Sequence, residues 1–418
     1  MPLRFCSLLL LLLVLASPAR AQEAGRLVYV PFNVSVWRGI SIGDAVVGGD
    51  TTARVVHYVS LNLPAGRAAR LEGLAVGVFS TVYTESAVGG QVAGLANVSG
   101  GDAVGYQVAG LANVAGERLR GVQLAGLANV SGEDAGFLQV AGLANVAGES
   151  MAGIQAAGLA NVVGGGIIGA QVAGLAGVVG EDVRGVQAAG FAVVAGERVE
   201  GVQAAGFASV AGDDVRGLQL AGLANVTGGV LRGVQVAPFN VAAESEGLQV
   251  GLANVAGEQR GVPVGLYSYA PGTPVRLDLY ADETGALNVG VRSGSRTVSN
   301  FVGVGARPFA DAAYRWGVFA GLGVERPLSA RAVWGVDALV HALFEDDLGG
   351  PSGTLFRLRA HAARALDRNL ALFGGPSLSL LLTDERDGLA PFTITESGGD
   401  PSARVWAGAV AGLRVRLR

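Results

Sequence analysis

The chain has a single cysteine, Cys6, and no lysine at all. One thiol close to the amino terminus rules out a disulfide framework. The 30 basic residues are all arginine, set against 34 acidic ones, for a net charge of −4. That balance leaves no electropositive footprint for nucleic acid, and arginine in place of lysine reads as coding bias. Aromatic residues make up only 6% and prolines number 14. With so little proline, the 67 glycines point to tight turns and close backbone approach, not to a collagen-like or disordered chain. Beyond the first residues no apolar run reaches 18, so no transmembrane helix is expected. Three histidines, His57, His341 and His361, lie far apart and match no metal-ligand spacing. No phosphate loop occurs, and the glycines follow a 16-residue period and not a nucleotide fingerprint. No cofactor is expected, and an enzyme is disfavoured.

Residues 1–21 read as a secretory signal peptide. Arg4 supplies a basic start, Leu8–Ala16 a short apolar run, and Ala19-Arg20-Ala21 a small-x-small cleavage site. Cys6 falls inside that segment. An exported chain without disulfides suits a bacterial envelope.

The dominant feature is a period of 16 residues. Gln91, Gln107, Gln123, Gln139, Gln155, Gln171, Gln187, Gln203, Gln219 and Gln235 share one register. Six residues later stands asparagine, at Asn97, Asn113, Asn129, Asn145, Asn161 and Asn225, replaced in the middle copies by Gly177, Val193 and Ser209. A fixed short period decides architecture before any local reading. Several glycines per copy exclude helix. Apolar residues alternate locally, as in strands broken by corners.

Two all-β architectures fit, a β-solenoid with one coil per copy and an antiparallel meander. The solenoid is preferred, because identical amides then stack about 4.8 Å apart and hydrogen-bond up and down a ladder. Leu127, Val130 and their equivalents are the expected core filling. The amide columns read as a register device, since asparagine is lost in three successive copies without disturbing the period. The competing reading is a flat array that recognises a glycan or another repetitive ligand. An acidic column (Glu117, Glu133, Glu149, Glu181, Glu197 and Asp213, beside Asp134, Asp182 and Asp214) is accompanied by Arg120, Arg184, Arg198, Arg216 and Arg232. Charge compensation at a solvated corner accounts for it more simply than calcium.

Residues 22–72 look like degenerate copies that cap the array: Pro31-Phe32-Asn33-Val34 echoes Pro238-Phe239-Asn240-Val241. The regular array occupies 73–266. It ends raggedly, with Gln249 only 14 residues after Gln235 and Pro263 where a glutamine would stand.

Residues 267–418 lose the period and form an antiparallel C-terminal β-domain. Eight strands are expected, at 275–280, 286–292, 298–307, 314–325, 331–344, 354–365, 370–383 and 403–417. Several are long enough to cross a bilayer at a tilt. Either they close into an outer-membrane-type barrel, or they form a soluble sheet or sandwich. In the barrel case Asp337, His341, Arg357, Arg359 and His361 would line a polar interior. Glu345–Gly353 and Asp384–Ser402 read as polar loops.

The Gly-x-Gln-x-Ala/Gly-Gly-Leu-x-Asn phrase behind a signal peptide resembles bacterial surface-repeat proteins of the type found in spirochaetes. The resemblance extends to the junction at Val264-Gly265-Leu266-Tyr267-Ser268 and implies an envelope or cell-surface location, with the outer membrane as the expected partner. The expectation is an exported, non-enzymatic protein with a structural or adhesive role. The runner-up is a soluble periplasmic or secreted protein that binds a glycan or protein ligand.

Overall fold

The computed structural model describes residues 25–37, 40–48, 50, 52–308, 314–345, 351–383, 393–397 and 402–417. The expected signal peptide and most of the two long polar loops lie outside these residues. The chain divides into two compact units, Met1–Gly222 and Leu223–Arg418.

The first unit is a parallel β-solenoid. Each 16-residue copy supplies a seven-residue strand, such as Leu119–Ala125, and a four-residue strand, such as Ala128–Ser131. Both pair in register with the same strands of the next copy, Gln123 opposite Gln139 and Asn129 opposite Asn145. Strands that all run the same way exclude the meander. Glycine is required where rungs approach closely. Gly121 has φ +144°, and a Cβ there would lie 1.8 Å from the Gly105 carbonyl oxygen. At the Gly126 corner it would lie 2.1 Å from the Gly110 oxygen. No side chain fits either place.

The interior differs from the expected one. Leu127 is 43% exposed and Val130 is only partly buried, while Gln123 and Asn129 are fully buried. The apolar share of the core is a column of mostly large side chains beneath the opposite corner, Leu119, Ala135, Met151, Ile167, Val183, Val199 and Val215, flanked by smaller ones such as Ala109, Ala115, Ala141, Ala147 and Ala195. Alternation shows which residues share a face; it does not show which face is inside. In this solenoid the amide face is inside.

The early copies pair as parallel rungs too, with Asn33 opposite Ser60 and Ala75 opposite Gln91. A short helix, Ile42–Val47, follows the first long strand. Ser41 caps its amino terminus by accepting a hydrogen bond from Asp44 N–H at 3.0 Å. The helix lies on the first strand, and Gly43 N–H donates to the buried Asn33 Oδ1. That contact closes the end of the stack, where an open strand edge would invite pairing with another chain.

The second unit begins with shorter rungs and then changes to a closed antiparallel barrel. Its eight strands are Arg276–Asp282, Leu287–Gly294, Val298–Ala306, Trp316–Ser329, Ala332–Phe344, Gly353–Ala365, Leu370–Thr383 and Ser402–Arg416. The last returns to the first, Leu413 opposite Leu279. A short strand, Thr393–Ser397, lies against Ser402–Arg416.

Candidate functional site

Two interiors carry the polar chemistry of this chain. In the first unit the glutamines form one continuous ladder. Gln139 Nε2 donates to Gln123 Oε1 at 2.8 Å, and Gln155 Nε2 donates to Gln139 Oε1 at 2.7 Å. The same bond recurs at each step from Gln91 to Gln219. The asparagine ladder runs beside it with the opposite polarity. Asn97 Nδ2 donates forward to Asn113 Oδ1 and Asn113 Nδ2 to Asn129 Oδ1, both at 2.9 Å, and the column continues to Asn161. Thr81 joins the two: its hydroxyl accepts from Gln91 Nε2 and donates to Asn97 Oδ1. The result is one hydrogen-bond chain that turns back on itself through a threonine. The amides also bind backbone, as in Asn129 Nδ2 to the Val140 carbonyl at 2.7 Å.

This geometry explains the tolerated losses. At Gly177 a Cβ would meet Gln171 Oε1 at 2.7 Å, so the glutamine occupies the space that asparagine vacates. Ser209 Oγ donates to Gln203 Oε1. Val193 is buried, and Gln187 Nε2 reaches the Val194 carbonyl at 3.1 Å. Because all these amides are buried, they offer nothing to an external ligand.

In the second unit Asn225 donates to Asn240, Asn240 to Asn254 and Asn254 to Ser268. Gln249 donates to Gln235, and Gln235 donates to Thr227. Pro263 stands opposite Gln249 in the following rung, and Gln249 Oε1 has no hydrogen-bond partner among the described residues. Proline offers no donor to continue that column. The asparagine column ends on the barrel. Asn300 Nδ2 donates to Ser268 Oγ while its Oδ1 accepts from Gly265 N–H at 2.8 Å, and Ser293 Oγ accepts from Ser268 N–H. Asn300 escaped the sequence reading because nothing repeats it; its fit becomes visible only once the barrel presents it to the last rung.

The barrel interior is charged. Asp337 accepts both terminal nitrogens of Arg292, at 2.9 and 2.8 Å, and Arg359 Nε at 2.8 Å. Asp278 accepts Arg414 Nε and Nη2 at 2.6 and 2.8 Å. Glu325 accepts from Arg414 at 2.6 Å, pairs with Arg276, and lies 3.3 Å from His361 Nε2. Nearer the other end, Arg357 bridges Asp282 at 2.6 Å and Glu283 at 2.9 Å, and Trp406 Nε1 donates to Glu283. A layer of Tyr280, Phe301, Phe319 and Phe373 packs among them, with the Arg359 guanidinium 4.6 Å from the Tyr280 ring centre.

Five carboxylates thus meet five guanidiniums, and side chains fill the interior, as expected of eight strands. Of the residues expected to line a barrel interior, Asp337, His341, Arg357, Arg359 and His361 are all buried there. Asp278, Arg292 and Glu325 had not been singled out; each lies beside an outward apolar residue, Leu279, Val291 and Val324 respectively. A small cleft near Tyr314 and Trp316 reaches His341, whose Nε2 has no hydrogen-bond partner among the described residues. Among the described residues no group of three or more His, Cys, Asp or Glu is placed to hold a metal.

The barrel exterior is the reverse. Along Gly353–Ala365, Arg357, Arg359 and His361 are buried, while Phe356 is 41% and Leu358 51% exposed. Val289, Val304, Val318, Trp334, Val340, Leu372 and Leu378 also point outward.

No family model matches the chain, and no curated protein matches it. Among solved structures, one described as "De novo design of transmembrane beta-barrels" aligns with a TM-score of 0.22 and 16% identity, over 35% of this chain and 97% of that one. A likeness of that size carries no functional argument.

Proposed function

We propose that this chain is an exported, non-enzymatic envelope protein whose C-terminal barrel crosses an outer membrane and anchors the solenoid as a structural element. The observation that carries the reading is the inverted barrel: ion pairs inside and an aliphatic belt outside. Water on both sides would favour the opposite arrangement, whereas lipid demands closed strand pairing and apolar outward residues. The filled interior suits an anchor and not a pore.

The connections suggest an orientation. At one end they are short, between Gly294 and Val298, Ser329 and Ala332, and Ala365 and Leu370. At the other end lie the longer segments 307–315, 345–352 and 384–401. Short turns of such barrels face the periplasm. The last rungs of the second unit meet the short-turn end through Asn300 and Ser293, so they leave the membrane on the periplasmic side.

Fractionation tests the reading. The full chain should stay with the outer membrane through a carbonate wash, and protease added to intact cells should cut only within the long connections. Recovery as a detergent-free soluble protein would sink the proposal and favour a soluble binding protein.

A further inference from the structure

The first unit has the same inversion as the barrel. Between residues 94 and 222 the chain has sixteen charged side chains, and all occupy slots ten, eleven or thirteen after a glutamine. Glu133, Asp134 and Arg120 represent these slots. They form one edge of the stack and are compensated there by pairs such as Arg198–Asp182 at 3.0 Å. The opposite edge carries one large apolar side chain per rung. Leu127, Leu143 and Leu175 are 43%, 48% and 46% exposed, and Phe191 stacks on Phe207 at 4.9 Å. On the two flat faces the outward positions next to the apolar edge, represented by Leu124 and Val130, are apolar in every copy, and charge on the longer strand is confined to its far end at Arg120, Arg184, Glu200 and Arg216.

We infer that this apolar edge and its flanking faces sit in the lipid of one membrane leaflet, with the charged edge in the aqueous headgroup region. Three observations favour lipid over a protein partner. First, the outward slots next to the apolar edge vary in size without turning polar. The slot after the glutamine reads Val108, Leu124, Val140, Ala156 and Val172 in successive rungs. Fluid acyl chains accept any such profile, whereas a protein partner needs matched shape.

Second, backbone donors at the apolar corner are satisfied within the stack, as lipid requires. Gly126, Leu127 and Ala128 N–H donate to Ala109, Leu111 and Leu111 carbonyls at 3.3, 2.9 and 3.0 Å. Third, the dimensions suit one leaflet. Six or seven residues separate the Leu127 corner from Glu133 or Arg120, roughly 20 Å of strand. That exceeds half of the ~30 Å hydrocarbon core and falls short of crossing it. An element with one apolar and one charged side lies in such an interface.

The inference relies on the barrel reading only for the presence of a bilayer. It is tested on the full chain reconstituted in phosphatidylcholine–phosphatidylglycerol vesicles. Cys6→Ser removes the native thiol, and single cysteines at Leu143→Cys, Leu175→Cys, Glu133→Cys and Leu358→Cys carry an environment-sensitive fluorophore. All four positions are surface sites, so folding should survive. Labels at 143 and 175 should emit blue-shifted light and be quenched several-fold more by lipid-attached nitroxide than by iodide, with the reverse at 133. Iodide quenching at 143 and 175, while 358 is quenched from lipid, would overturn the inference and leave the barrel reading intact. Protection of 143 and 175 from both quenchers would overturn it in favour of a second copy or another protein. Iodide quenching at 358 would count against the barrel reading alone.

Discussion

Solenoid and barrel both keep their polar groups inside, but they use different chemistry to do so. The solenoid buries neutral amides; the barrel buries ions. Repetition accounts for the difference. Identical residues stacked about one strand spacing apart must satisfy their own kind. An amide can, because it both donates and accepts. A carboxylate or guanidinium cannot, and stacked like charges repel. The barrel has no period, so Asp337 can meet Arg292 and Arg359, and Asp278 can meet Arg414. Where the solenoid carries charge, at its outer corner, arginines such as Arg118 and Arg198 lie beside the acidic column, and water screens what they leave uncompensated.

The comparison predicts unequal sensitivity. The largest effect should come from the barrel. Asp337→Ala leaves Arg292 and Arg359 buried without their shared counter-ion, a loss of about 3–5 kcal/mol. It should appear as a lowered urea midpoint, followed by the fluorescence of the buried Trp406 and by the mobility of unheated protein on gels. A change under 1 kcal/mol would mean that the interior ions are hydrated.

Next comes His57 in the first unit. Burial lowers its pKa from 6.5 to about 4, and it packs edge-on against Tyr83 at 6.1 Å. The folded state therefore holds this imidazole neutral, while the unfolded state binds a proton below pH 6.5. Its contribution to stability is intact above pH 6.5, falls as the pH drops toward 4 and then levels, by up to about 3 kcal/mol. His57→Phe should remove that part of the acid sensitivity, read as the difference between the two unfolding curves from pH 7 to pH 4.

Breaking a ladder should cost less. Gln139→Leu orphans the Gln123 acceptor and the Gln155 donor, about 2 kcal/mol in all. Asn161→Gly should cost less still, because a glutamine can swing into the vacancy, as Gln171 does beside Gly177. Equal losses for the two substitutions, measured by circular dichroism in urea, would contradict the swinging amide. The smallest effect belongs to the charged corner. Arg198 is half exposed, and Arg198→Ala should leave the urea midpoint where it was.

Much of this architecture was legible in the sequence. The 16-residue period pointed to in-register rungs, and alternation placed the eight barrel strands to within a few residues of their observed limits. The faces were not legible. A rule of apolar residues inside led to Leu127 and Val130 as core; the same alternation is satisfied with Gln123 and Asn129 inside, because their amides find partners one rung away. Nor could repetition reveal the devices that occur once. The helix at Ile42–Val47, the Thr81 link and the Asn300 terminus each depend on contacts distant in sequence.

Whether the barrel exterior faces lipid is tested most directly by the oxygen and nickel-chelate accessibility of nitroxides along Gly353–Ala365. Labels replacing the outward residues Thr354, Phe356, Leu358, Ala360 and Ala362, one per variant, should favour oxygen over the chelate, with a maximum near the middle of the strand. Uniform chelate access at all five positions, with no maximum, would contradict it.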